Sequence, residues 1–158
     1  MKKILVLLNI SLLIVYFGYS INIEKSNLKK DSFYLELLPV DPRSLIQGDY
    51  MKLSYKIVND SYKDIYNLKE GYIKISIDNK NIGHYMNVET LLSPLSNNEK
   101  LIYFNQLYNG LDIGINSYLF QEGKGYLFQK AKYAEVIISK NKKLRVKHLL
   151  DNNFKTIK

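Results

Sequence analysis

A chain of 158 residues and 18.5 kDa has room for one domain with appendages, at about 100–200 residues per domain, and is too short for a two-domain enzyme. It has no cysteine and only two histidines, His84 and His148. That excludes a disulfide framework, a thiol nucleophile, haem attachment and a cysteine zinc site, and any metal or acid–base centre would have to be borrowed or built mostly from carboxylates. The net charge is +8, from 23 basic and 15 acidic residues. All the basic residues but Arg43 and Arg145 are dispersed lysines, which lack the clustered guanidinium forks of a phosphate reader, so no nucleic-acid partner is expected.

The chain opens with Met1-Lys2-Lys3, expected as a cytoplasmic amino terminus. Residues 4–21 follow without a charge. As a helix they would span about 27 Å, close to the hydrocarbon thickness of a bilayer. Tyr16 and Tyr19 near the far end suit the interface. The run is expected to be one transmembrane helix acting as a signal anchor. The alternative is a cleavable signal peptide cut near Ser20, after the small-x-small group Gly18-Tyr19-Ser20, which leaves the rest secreted or periplasmic. Lys2 and Lys3 on one side nearly balance Lys25, Lys29 and Lys30 on the other. The short amino-terminal tail is therefore what favours export of residues 22–158. Residues 22–32 read as a polar connector, and 33–150 as an extracytoplasmic β domain.

Within that domain, period-2 alternation dominates. Phe33–Leu37 alternates apolar and polar. Asp49–Val58 reads as the clearest strand, with Met51, Leu53, Tyr55 and Ile57 on one face and Lys52, Ser54 and Lys56 on the other. Tyr72–Ile77 and Ile82–Val88 flank the turn Asp78-Asn79-Lys80-Asn81 and predict a hairpin. Leu101–Phe104 and Leu111–Ile115 stand around Asn109-Gly110. Gln121–Lys132 contains two glycines and holds at most a short helix near 126–132. Tyr133–Ser139 and Leu144–His148 predict a terminal hairpin, and 151–158 a frayed tail. About eight short strands predict a mainly-β fold, an antiparallel sandwich or a partly open barrel.

Residues 38–55 hold the densest motif. Asp41 can cap a helical turn with Pro42 at its first position. Arg43, Ser44 and Leu45 continue it, and Gly48 can reverse the chain into a strand opened by Asp49 and Tyr50. The run Gly48-Asp49-Tyr50-x-x-Leu53-x-Tyr55, with Pro39, Asp41, Pro42, Arg43, Ser44, Leu45 and Gln47 upstream, resembles the bacterial GDYXXLXY protein family. Tyr118-Leu119-Phe120-Gln121-Glu122-Gly123, then Tyr126, then Ala131, Tyr133 and Glu135 resemble its second block. The final hairpin departs from it, with Asn141-Lys142-Lys143 where a Gly is expected. The resemblance implies a membrane-associated protein with no assigned reaction, and a multi-span membrane protein as its partner class.

Three readings compete for the motif's polar residues. Arg43 can pair with Glu122 or Asp49 in a buried network tying the two blocks together. It can instead clamp an anionic ligand in a cleft lined by these carboxylates. Asp41, Asp49 and Glu122 could hold calcium, but no DxDxDG spacing supports it. The run 44–49 is loosely similar to the entry strand of membrane-anchored signal peptidases. The nucleophile's position, four residues before Ser44, is Val40, and no lysine base motif follows, so an active protease is rejected. His84 and His148 read as half-exposed strand residues. The expected protein is a non-catalytic, single-pass membrane protein without cofactor or metal, whose exported β domain is an accessory subunit on a multi-span partner. An envelope ligand-binding module using Arg43 is the alternative, and a hydrolase the remote one.

Overall fold

The computed structural model describes residues 9–20, 32–39, 50–65, 67–108, 110–121, 123–139 and 142–158. The chain divides into two compact units, Met1–Ser32 and Phe33–Lys158.

In the first unit, residues 9–20 form helix α1. Ile10, Leu12, Leu13, Ile14, Val15, Tyr16, Phe17 and Tyr19 are all exposed, so its apolar surface runs round the whole helix. Among the described residues no helix is long and apolar enough to cross a membrane. At 1.5 Å per residue α1 is about 18 Å long. Residues 4–8 and 21 of the uncharged run, like the connector before Ser32, lie outside the described residues.

The second unit is mainly β. Nine strands among the described residues form three sheets, none of them a closed barrel. The strands are β1 (Ser32–Glu36), β2 (Tyr50–Lys52), β3 (Glu70–Ile77), β4 (Gly83–Glu89), β5 (Glu99–Leu107), β6 (Gly110–Asp112), β7 (Ser117–Leu119), β8 (Tyr133–Ile138) and β9 (Leu144–Leu150). Two helices join them, α2 (Lys56–Ile65) and α3 (Gly125–Phe128). The sheet orders are β4-β3-β5-β6, β1-β8-β9 and β2-β7. Phe33, Leu35 and Leu37 meet Ile73, Ile75, Ile102, Phe104, Ala134, Val136 and Leu149 in one core cluster. Alternation is what aims these side chains inward, since successive strand residues face opposite ways.

Both expected hairpins form. In the first, the Asp78 carboxylate accepts the backbone N–H groups of Lys80 and Ile82 at 2.9 and 2.8 Å. Asn81 takes φ = 65° there, a conformation its short polar side chain tolerates. The Asn81 carbonyl accepts the Tyr34 N–H at 2.8 Å, which links β1 to this turn. In the second hairpin Lys142 has φ = 62°, so a lysine holds a left-handed position in the turn where a glycine is expected. Asn141 lies outside the described residues.

Gly71 shows how closely the sheet packs. A Cβ there would stand 2.9 Å from the Glu89 carbonyl oxygen and 3.0 Å from the Phe104 ring. Gly71→Ala is expected to cost about 1–3 kcal/mol, because backbone must shift to admit the methyl. An unchanged denaturation midpoint would contradict this packing.

Four expectations need correction. The strand over Asp49–Val58 pairs only through Lys52, and α2 follows from Lys56. The inward face was legible, since Met51, Leu53, Tyr55 and Ile57 are all buried. From Ile57 onward, however, the burial period is helical, with Ile57, Ser61 and Ile65 inside. The strand over Leu111–Ile115 pairs only to Asp112, and Gly114 with φ = 80° turns the chain. The helix near 126–132 is the single turn α3. Residues 151–158 do not fray. The Asp151 carboxylate accepts the N–H of Asn153 and Lys155, Thr156 bridges to Leu150, and Ile157 is buried.

Four carboxylates give the fold a pH dependence. The His84 ring, 3.0 Å away, and the Ile82 N–H hold Asp78 below its ordinary value. Ser96 N–H and Lys74 do the same for Glu99, and Lys155 N–H for Asp151. Burial works to raise Glu36, and bonds from Lys132 and Lys56 outweigh it. The folded chain therefore binds fewer protons than the unfolded chain at acid pH. Stability should be level from neutral to about pH 5 and fall as pH drops below about 4. A melting temperature unchanged down to about pH 2 would contradict these bonds.

Candidate functional site

The second unit brings the two motif blocks together by backbone pairing. β2 and β7 are antiparallel, with Tyr50 opposite Leu119, Met51 opposite Tyr118 and Lys52 opposite Ser117. The pairing continues where Leu53 N–H donates to the Asn116 carbonyl at 2.8 Å. On the other edge of this segment, Leu38 N–H donates to the Ser54 carbonyl at 2.9 Å, and Leu37 bridges to Tyr55. Residues 50–55 are thus stitched between the end of β1 and the approach to β7.

Side chains follow the same division. Met51, Leu53 and Tyr55 enter the core, while Lys52 and Ser54 are exposed. The Tyr55 hydroxyl donates to the buried Ile115 carbonyl at 2.9 Å. This bond satisfies a backbone acceptor in a segment with no strand partner there. Burial pushes the Tyr55 hydroxyl far above the ordinary tyrosine range.

In the second block, Phe120 stacks on Phe128 at 5.2 Å and Tyr118 meets the same ring at 5.5 Å. Gly123 has φ = 78°, a left-handed turn that suits glycine before α3. Tyr133 stacks on Phe154 at 4.5 Å. The Glu135 carboxylate accepts from Lys147 Nζ at 2.7 Å, with the glutamate side chain 13% exposed.

A cleft of about 480 Å³ opens beside the first block. Leu38, Ser54 and Tyr55 form one side, Asn59 and Tyr62 of α2 another, and Leu111 and Asp112 of β6 the third. Asp112 Oδ1 already accepts the Gly114 N–H at 2.6 Å and the Asn116 amide at 2.8 Å. The cleft combines apolar contact with the hydroxyl and amide groups of Ser54, Tyr62 and Asn59 and the charged side chains of Lys52 and Asp112. Among the described residues no group of three or more histidines and carboxylates could hold a metal ion.

A family model described as GDYXXLXY protein matches residues 12–149. The chain belongs to the GDYXXLXY protein family. No curated protein and no solved structure matches it.

The structure places the family motif unevenly. Leu53 and Tyr55 are core residues, and Tyr50 and Pro39 are exposed. Gln121, Gly123 and Tyr126 are exposed, and Ala131, Tyr133 and Glu135 half-buried. Asp41, Pro42, Arg43, Ser44, Leu45, Gln47, Gly48, Asp49 and Glu122 lie outside the described residues, and with them the Arg43 pairing, the anion clamp and the calcium set. His84 and His148 do lie on strands β4 and β9, and His84 has a partner in Asp78 across the turn. Asn59 and Tyr62 are the cleft residues that pattern reading missed. The recurrence of Ile57, Ser61 and Ile65 every four residues is the signal that could have found their helix.

Proposed function

We propose that this GDYXXLXY protein is a single-pass membrane protein whose β domain stands outside the cytoplasm, docks on a multi-span membrane protein and carries no catalysis of its own. The observation that carries the reading is α1. Its large apolar side chains are exposed on every side, and it lies within an eighteen-residue run without a charge. A helix apolar all round needs a non-aqueous environment, which lipid supplies. The motif supports a structural role for the family signature. Leu53 and Tyr55 pack the core, Tyr133 stacks on Phe154, and Glu135 is taken by Lys147.

Membranes of cells producing the chain, washed at alkaline pH, test the anchor. The chain should stay in the pellet with Met1, or the residue after it, at its amino terminus. A soluble product beginning near Ile21 would replace the anchor with a signal peptide. Detergent extracts should also yield the chain in complex with a multi-span protein; a monodisperse, partner-free chain would contradict docking.

The cleft beside the motif favours one alternative, an envelope module that binds a small ligand. Under that reading the released domain keeps its whole function without a membrane partner.

A further inference from the structure

The connection between β4 and β5, residues 90–98, has its path set by the sheet. β4 and β5 pair with β3 on opposite sides, each antiparallel to it. They therefore run parallel, and the chain between them must cross β3. β4 ends at Glu89 opposite Tyr72, and β5 starts at Glu99 opposite Ser76. β3 itself extends over Glu70–Ile77, so the crossing passes over a face of the strand. The inner face carries Ile73 and Ile75 in the core, which leaves the outer face with Tyr72, Lys74 and Ser76.

Charges hold both ends of the crossing down. Lys74 Nζ lies 3.4 Å from Glu89 and 3.3 Å from Glu99. The Glu99 carboxylate accepts the Ser96 N–H at 3.0 Å. Leu101, opposite Lys74 on the same outer face, is 1% exposed. The Ser93 hydroxyl is buried as well. The crossing therefore shields an ion triad and a leucine beneath it.

Its outward side has the opposite polarity. Leu91 is 79% exposed and Leu92 63%, and residues 90–98 contain no charged side chain. The β3–β4 turn carries Asp78 and Lys80, and the β8–β9 turn carries Lys142 and Lys143. A loop that covers the ion triad of the strands beneath it and turns leucines outward is adapted to a surface other than water.

We propose that this loop is a second membrane contact, with Leu91 and Leu92 inserted into the interface of an anionic bilayer. The inference rests on the anchored reading of residues 4–21. The ten residues between the uncharged run and β1, 22–31, reach at most about 36 Å, which keeps the domain near the bilayer surface at high effective concentration. Residues 33–158 retain a basic excess, which complements anionic headgroups. An uncharged loop tip enters the interface without desolvating an ion.

The absence of native cysteine makes single-cysteine labelling clean. Full-length Leu92→Cys and, on the exposed β3–β4 turn, Asn79→Cys are each labelled with an environment-sensitive fluorophore. Both are reconstituted into vesicles of phosphatidylglycerol and phosphatidylcholine, with and without bromine on the acyl chains. Bromine should quench the label at 92 at least about twofold, as expected for a side chain at acyl depth, and leave the label at 79 unchanged. Protein that floats with vesicles but shows no quenching at 92 overturns the loop contact while leaving the anchor standing; a partner protein then becomes the occupant of the leucines. Equal quenching at 92 and 79 also overturns it. Protein that fails to float overturns the anchor and the loop contact together.

Discussion

Tyr55→Ala is expected to lower the unfolding free energy by about 3–5 kcal/mol, the range for removing a buried aromatic ring. Two effects combine at this position. The ring is 2% exposed and sits in the main cluster, so its loss leaves a cavity. The hydroxyl satisfies the Ile115 carbonyl, so its loss also strands a buried acceptor. Tyr55→Phe isolates the second effect and should cost about 1–3 kcal/mol. Alkaline pH provides a check on the same group. The folded state keeps the hydroxyl protonated, while the unfolded chain ionises near the ordinary value of about 10. The contribution is thus present below about pH 10 and lost as pH rises above it. Equal stability of Tyr55→Phe and the parent would contradict the buried bond.

Leu53→Ala is expected to cost about 2–5 kcal/mol, the range for truncating a buried leucine. Leu53 is 3% exposed, and its N–H bond to Asn116 fixes the backbone so that the cavity cannot close easily. Its neighbour Lys52 faces solvent, and Lys52→Ala should stay within about 0.5 kcal/mol. Urea denaturation of the two variants side by side reads the inward and outward faces of the motif. Equal losses at both positions would contradict the register of β2 on β7.

The alternating strands were the legible part of this fold. β1, β3, β4, β8 and β9 fall close to where period-2 patterns and turn residues place them, because each has one face in the core, and β5 covers the expected Leu101–Phe104 but runs on from Glu99 to Leu107. α2 was hidden because Ile57 belongs to two patterns at once. It completes the alternation of Met51, Leu53 and Tyr55, and it starts the helical series of Ile57, Ser61 and Ile65. β7 has three residues and an exposed Leu119, so alternation carries no signal there. Its pairing with β2 is a long-range contact that no local pattern encodes. The tail of the chain looked frayed because its residues are polar; turn bonds from Asp151 and the stacking of Phe154 on Tyr133 hold it instead.

The candidate site was legible as a motif and illegible as a surface. Leu53 and Tyr55 could be read as inward residues from their spacing. The cleft could not, because its walls come from Leu38, Asn59, Tyr62, Leu111 and Asp112, which only the assembled sheets bring together. The expected Arg43 pairing concerns residues outside those described, so the framework role of the motif rests on Leu53, Tyr55, Tyr133 and Glu135.

The side of the membrane on which the β domain stands is measured with reporters. Two fusions after Lys158 are compared in living cells: an alkaline phosphatase that is active only after export, and a fluorescent protein that matures only in the cytoplasm. An exported β domain held by an amino-terminal anchor predicts active phosphatase, a dark fluorescent fusion, and both products in the membrane fraction. Inactive phosphatase with a bright fluorescent fusion would place residues 33–158 in the cytoplasm and rule out an exported β domain.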